Sequence, residues 1–138
     1  MSTWTHVSGC IRLNDLSFLL GERITKEGIE KILGKISTFE KPLKNCKLPC
    51  GSEGSMEYAI REDEDTSSIA RFDIAFFGDL RDYSDVEEIK KYFNSLNKKF
   101  SKKALMIRDG VIKIETEYCK PLILSWNYDT EKFERVGE

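Results

Sequence analysis

The chain has 138 residues, of which 40% are hydrophobic and 33% charged, and its formal net charge is −2. That length supports a single domain with a real core and leaves no room for a second domain of ordinary size. The slightly acidic balance argues against a dedicated nucleic-acid binder, which carries a basic excess, and no apolar run approaches the ~20 residues of a membrane span.

The first residues, Met-Ser-Thr-Trp-Thr-His-Val, lack the basic start and apolar run of a secretory signal. A cytoplasmic protein is therefore expected, with Cys10, Cys46, Cys50 and Cys119 mostly reduced. From Trp4 to Leu13 the residues alternate. Val7, Gly9, Ile11 and Leu13 share one face, and His6, Cys10 and Arg12 the other, which predicts a first strand. Thr25 reads as an N-cap with Ile24 and Ile29 at hydrophobic-staple positions. Ile29, Ile32, Leu33 and Ile36 continue at helical spacing despite Gly28 and Gly34. Residues 40–55 hold two of the three prolines and the segment Cys50-Gly-Ser-Glu-Gly-Ser, the signature of a turn-rich loop.

A second strand follows from about Met56 to Glu62, and the acidic run Glu62-Asp63-Glu64-Asp65 reads as a solvated hairpin connection. In the third strand Ala70, Phe72, Ile74 and Phe76 point inward, opposite Arg71 and Asp73. Ser84 and Glu87 form a capping box, and Val86, Ile89, Phe93, Leu96 and Phe100 give one apolar stripe on a second helix. Ala104–Arg108 and Val111–Tyr118 then read as a hairpin turning at Asp109-Gly110, a pair suited to a two-residue type I′ turn. A last strand spans Leu122–Tyr128, and the charged tail 129–138 is expected to fray.

The order β-α-β-β-α-β-β-β predicts a single α+β domain over residues 1–138. Its pattern is a ferredoxin-like β-α-β-β-α-β sandwich with an additional C-terminal hairpin or edge strand. Both helices then cover one face of an antiparallel sheet, and the other face stays open. An open face, or the edge strand 122–128, would suit a homodimer.

The densest chemistry lies at Phe76–Tyr83, read as a strand-to-helix corner. Asp79, Arg81, Asp82 and Tyr83 are candidate partner-binding residues, with Tyr83 offering an aromatic surface. Capping of the following helix accounts for part of the acidity but not for Arg81. The loop Gly51, Ser52, Glu53, Gly54, Ser55 is a candidate ligand-binding turn whose amides could face an anion. It lacks the lysine and following helix of a phosphate loop, and Glu53 would repel an anion.

Cys46-Lys-Leu-Pro-Cys50 with His6 and Cys10 has the side chains of a zinc site, but His6 and Cys10 stand about 13 Å apart along a strand, too far for one ion. No metal and no other cofactor is expected, and free cysteines are the better reading. His6, the lone histidine, has no evident nucleophile or orienting carboxylate nearby in sequence, so no catalytic residue is assigned and the chain is read as non-enzymatic. Lys90, Lys91, Lys98, Lys99, Lys102 and Lys103 concentrate positive charge on the second helix. A solvated face explains them better than nucleic acid, because Arg71-Phe-Asp-Ile-Ala-Phe-Phe-Gly lacks the aromatic order of an RNA-recognition motif.

Three segments, Trp4-Thr-His-Val-Ser-Gly9, Gly51-Ser-Glu-Gly-Ser55 with Tyr58, and Gly78-Asp-Leu-Arg-Asp-Tyr83, resemble those of small proteins encoded by phages and prophages of Gram-positive bacteria. The resemblance implies a phage accessory protein acting in the host cytoplasm, one that binds and inhibits a host or defence-system protein. Small-molecule or nucleotide binding through Gly51–Ser55 and Arg81 is the alternative, and nucleic-acid binding through the helix lysines a further one.

Overall fold

The two-residue alternation of the first strand persists through twelve residues, and it sets the architecture. In β1 (Trp4–Asp15) Thr5, Val7, Ile11, Leu13 and Asp15 are buried while His6, Ser8, Cys10 and Arg12 are exposed. The computed structural model describes residues 3–63 and 69–137. After β1 come a 3₁₀ turn (Ser17–Leu20), α1 (Lys26–Leu33), the short pair β2 (Cys50–Gly51) and β3 (Gly54–Ser55), and β4 (Glu57–Glu62). Then follow β5 (Phe72–Arg81), α2 (Val86–Ser101), β6 (Leu105–Thr116), β7 (Leu122–Asn127) and β8 (Lys132–Arg135).

The fold is α+β, with two helices and a six-stranded antiparallel sheet of order β4-β5-β1-β6-β7-β8. The sheet is longer than a four-stranded ferredoxin-like one, because β7 and β8 are added beyond β6. The helices pack on the face that carries Val7, Ile11, Leu13, Phe72, Ile74, Phe76, Ile112 and Ile114. Phe93 of α2 is the centre of that core, with edge-on contacts to Phe76, Tyr92 and Phe133.

Both helix starts are set by side-chain caps. Thr25 accepts a hydrogen bond from the Gly28 amide, as its sequence position predicts. The second start lies one residue later than expected: Asp85, not Ser84, caps α2 by accepting from the Glu88 amide. The pattern Asp85-Val-Glu-Glu88 repeats that of Ser84–Glu87 one step along, and Tyr83 just before it is tied through its amide to the Thr3 carbonyl. α1 also stops earlier than its apolar spacing implies, because Gly34 turns the chain out of the helix at φ 106° and leaves Ile36 beyond it.

Two further expectations are overturned. Asp109-Gly110 is not a hairpin turn, since β6 runs through it as one continuous strand paired to β1. Arg12 faces Asp109 and Leu13 faces Ile107, so the irregularity is a bulge at Arg108. Gly110 is small for a packing reason: a Cβ there would stand 3.0 Å from the Phe133 ring. Nor does the tail fray throughout. β8 pairs with β7, and Phe133, 1% exposed, packs against Phe93 and Trp126. The expected acidic hairpin connection falls partly on residues 64–68, outside the described residues.

One polar knot closes the far end of the sheet. Asp15, buried beside the 3₁₀ turn, accepts from the Ser17 amide and hydroxyl and from Arg71, whose other arm reaches Glu62. A planar guanidinium suits two carboxylates at once.

Candidate functional site

Asp79 and Arg81 are strand residues, not parts of a corner: β5 runs to Arg81 before the chain turns at Asp82, which sits in the left-handed region at φ 55°. Alternation along β5 then sends Asp73, Ala75, Phe77, Asp79 and Arg81 to one face and Phe72, Ile74, Phe76 and Leu80 to the core. The first set lies on the face that no helix covers. Phe76-Phe77 is the point where this shows, because consecutive strand residues cannot both be inside.

Across the strand pair, His6 stands opposite Asp79 and Trp4 opposite Arg81. The His6 Nδ1 lies 2.5 Å from an Asp79 carboxylate oxygen, and the Trp4 ring is parallel to the imidazole at 6.4 Å. A carboxylate on Nδ1 orients the ring and leaves Nε2 toward solvent. No nucleophile among the described residues is hydrogen-bonded to that nitrogen. Ser8 and Cys10, on the same face, are one and two strand repeats away, about 7 and 13 Å. The pair can orient a hydrogen bond to something docked on the sheet.

The two segments singled out in the sequence are joined. Arg81 binds Glu53 at 2.8 Å, the Ser52 hydroxyl donates to Asp82 at 2.9 Å, and the Ser52 amide donates to the Arg81 carbonyl. Gly51 permits this approach, since a Cβ there would stand 2.6 Å from the Arg81 carbonyl oxygen. Gly54, at φ 142°, fits against Ser37, and the buried Ser55 hydroxyl accepts from the Ser37 amide while donating to the Met56 carbonyl. Within Gly51–Ser55, only Ser52 and Glu53 are exposed. The Glu53 carboxylate and the Ser52 hydroxyl and amide are engaged by β5 and its turn.

Tyr83 is buried, 7% exposed, and presents no aromatic surface. Among the described residues its hydroxyl finds no well-placed hydrogen-bond partner. Burial, with Glu88 nearby, pushes its ionisation well above the usual tyrosine range. The Tyr83 carbonyl instead accepts from Thr5, which holds the turn after β5 onto β1.

What the strand patterns left unremarked is an exposed apolar band across the open face. Phe77, Val111 and Ile123 are 43%, 52% and 38% exposed, and Ala59, Ala75 and Cys10 lie beside them. Ion pairs flank the band, Arg61–Asp73 and Arg12–Asp109 on one side and His6–Asp79 on the other, while Lys113, bridged to Glu115, stands within it opposite Ile123. The hydrogen bond from Lys113 holds the Glu115 carboxyl below its ordinary range. The Cys10 thiol is raised by partial burial and by Asp73, so it is a poor nucleophile here.

The remaining candidates lie apart. Cys46 lies in the loop before β2 and Cys50 opens β2 beside it, and burial raises the Cys50 thiol; Cys119 is in the β6–β7 turn. Among the described residues no group of three or more His, Cys, Asp or Glu is placed to hold a metal ion. Among them, too, no helix is long and apolar enough to cross a membrane. The lysines of α2 belong to the helix layer, so the sheet separates them from the open face.

Comparisons with protein-family models, with curated proteins and with solved structures find no match to this chain.

Proposed function

We propose that this chain is a non-enzymatic binding protein that docks a protein partner on the open face of its sheet. The observation that carries the reading is the exposed band of Phe77, Val111 and Ile123, bordered by the Arg61–Asp73 and His6–Asp79 pairs and crossed by Lys113, on a face that Asp79 and Arg81 also share. Six strands at about 4.8 Å spacing make a surface about 24 Å across, roughly 33 Å long at the central strands β5, β1 and β6 and shorter at β4, β7 and β8, the scale of one side of a protein interface. Its apolar centre and charged rim are arranged as such interfaces are. Asp73, Asp79, Asp109 and Glu115 stand on the same face and disfavour a phosphate backbone.

The resemblance to phage and prophage proteins supports a host or defence-system protein as the partner, met in the host cytoplasm. The ferredoxin-like reading of the fold is supported by the order β4-β5-β1-β6 at one end of the sheet, with β7 and β8 as the added strands. The alternative reading, a ligand held by Gly51–Ser55 and Arg81, has the contact between those segments in its favour, but Glu53 already engages the guanidinium.

The test uses the tagged chain, wild type and Phe77→Asp/Val111→Lys, for capture from lysate of a Gram-positive host. A photo-crosslinking residue in place of Ile123 or of Lys99 reports the face used. The expected result is one saturable partner, crosslinked from position 123 and not from 99, and lost in the double variant while its thermal melt stays within a few degrees of wild type. Capture that survives the double variant, or crosslinks only from 99, overturns the reading. So does self-association through position 123 with no second protein, which would make the face a homodimer interface.

A further inference from the structure

A second surface on the other side of the protein has the shape of a ligand site. A cleft of about 660 Å³ opens between the outer side of α1 and the segment Leu43–Lys47, with Tyr58 of β4 at its floor. That volume lies within the range of sites for small organic molecules, roughly 300–1,000 Å³. Neither Gly51–Ser55 nor Arg81 lines it.

The cleft is held open by defined contacts. The Tyr58 hydroxyl donates to the Gly34 carbonyl at 2.7 Å, which pins the end of α1 over β4. Gly34 then lets the following segment pass close, because a Cβ there would stand 2.9 Å from the Lys47 Cβ. Leu43 and the Tyr58 ring supply apolar surface, extended by the methylene stems of the lysines.

The charges around it are unequal and unmatched. Lys31 comes from the last turn of α1 and Lys35 from just beyond its Gly34 cap, and Lys44 and Lys47 from the opposite wall. Among the described residues none of these four is in an ion pair, although Glu27 and Glu30 line the same cleft. Lysine at a helix C-terminus complements the helix dipole, which explains Lys31 and Lys35 but not Lys44 and Lys47. Lysines on both walls of an apolar cleft suit a compact anion, whereas the two glutamates oppose a long polyanion.

We propose that this cleft binds a small amphipathic anion, an apolar or aromatic body bearing one carboxylate, sulfonate or phosphate. The site is independent of the protein-docking face. The test uses anilinonaphthalene sulfonate, an aromatic sulfonate whose fluorescence rises on leaving water, with decanoate and adenosine monophosphate as competitors. The expected result is saturable binding of one probe per chain, weakened by salt and displaced by at least one competitor. Lys35→Glu/Lys47→Glu should weaken it at least about tenfold, and Leu43→Trp, which puts a bulky ring into the cleft, should also weaken it, both variants keeping the wild-type melt. Decanoate alone displacing the probe would identify an alkyl carboxylate; the nucleotide alone would identify a nucleoside phosphate. Probe binding that is unsaturable, indifferent to both variants, undisplaced by either competitor, or lost in Phe77→Asp/Val111→Lys instead overturns the assignment.

Discussion

Asp15 has the least exposed carboxylate of any ion pair described in the protein, and its chemistry is fixed by three neighbouring groups. Burial alone would raise its ionisation, yet the hydrogen bonds from Ser17 and the Arg71 guanidinium outweigh burial and hold the carboxyl below its ordinary range. Folding therefore favours the ionised form. The stabilisation is complete above the unfolded carboxylate value of about 3.9 and is lost as pH falls through the lower folded value. Asp15→Asn is expected to cost about 3 kcal/mol at neutral pH, since Arg71 loses its buried partner. In urea melts between about pH 2 and pH 7 the gap to wild type should close at the acid end. Tyr83→Phe should be neutral or stabilising by up to about 1 kcal/mol in a thermal melt, because among the described residues the buried hydroxyl it removes has no well-placed hydrogen-bond partner. Asp79 and Arg81 were legible as residues that helix capping does not explain. Their partners His6 and Glu53 were not, because they arrive from segments 73 and 28 positions away.

At the scale of elements, long periodic patterns were readable and single-residue signals were not. The alternation of β1 and β5 and the stripe of α2 each repeat over several residues, so each identifies an element and its inner face. β8 contributes one buried side chain in a charged stretch, too short for any period to show. Phe133→Ala should nonetheless cost about 3–5 kcal/mol in chemical denaturation, as for other large aromatic truncations in a core. A cost under about 1 kcal/mol would mean the tail is dispensable after all. Asp109-Gly110 misled for a related reason. The dipeptide has the local chemistry of a turn, but β1 is long enough to pair with residues on both sides of it, and ladder hydrogen bonds over the whole strand outweigh a local preference.

Taken whole, the molecule presents two surfaces separated by its core: an uncovered sheet face with an apolar band, and the α1 cleft edged by lysines. With no shared residue, they should behave additively. Combining Phe77→Asp/Val111→Lys with Lys35→Glu/Lys47→Glu should remove both partner capture and probe binding, each to the extent seen separately. Coupling between them would require a shared conformational change.

The sequence by itself determined the class of the fold, the inner faces of β1 and β5, the start of α1 and the apolar stripe of α2, because all of these follow from periodicity and capping within a short stretch of chain. Only the tertiary structure decided that Asp79 belongs to His6, that Glu53 belongs to Arg81, that Tyr83 is interior and that the tail is a strand. The physical reason is the same in each case. Strand pairing joins residues distant in sequence, and the ladder as a whole, not any one dipeptide or charge, selects the register that brings them together.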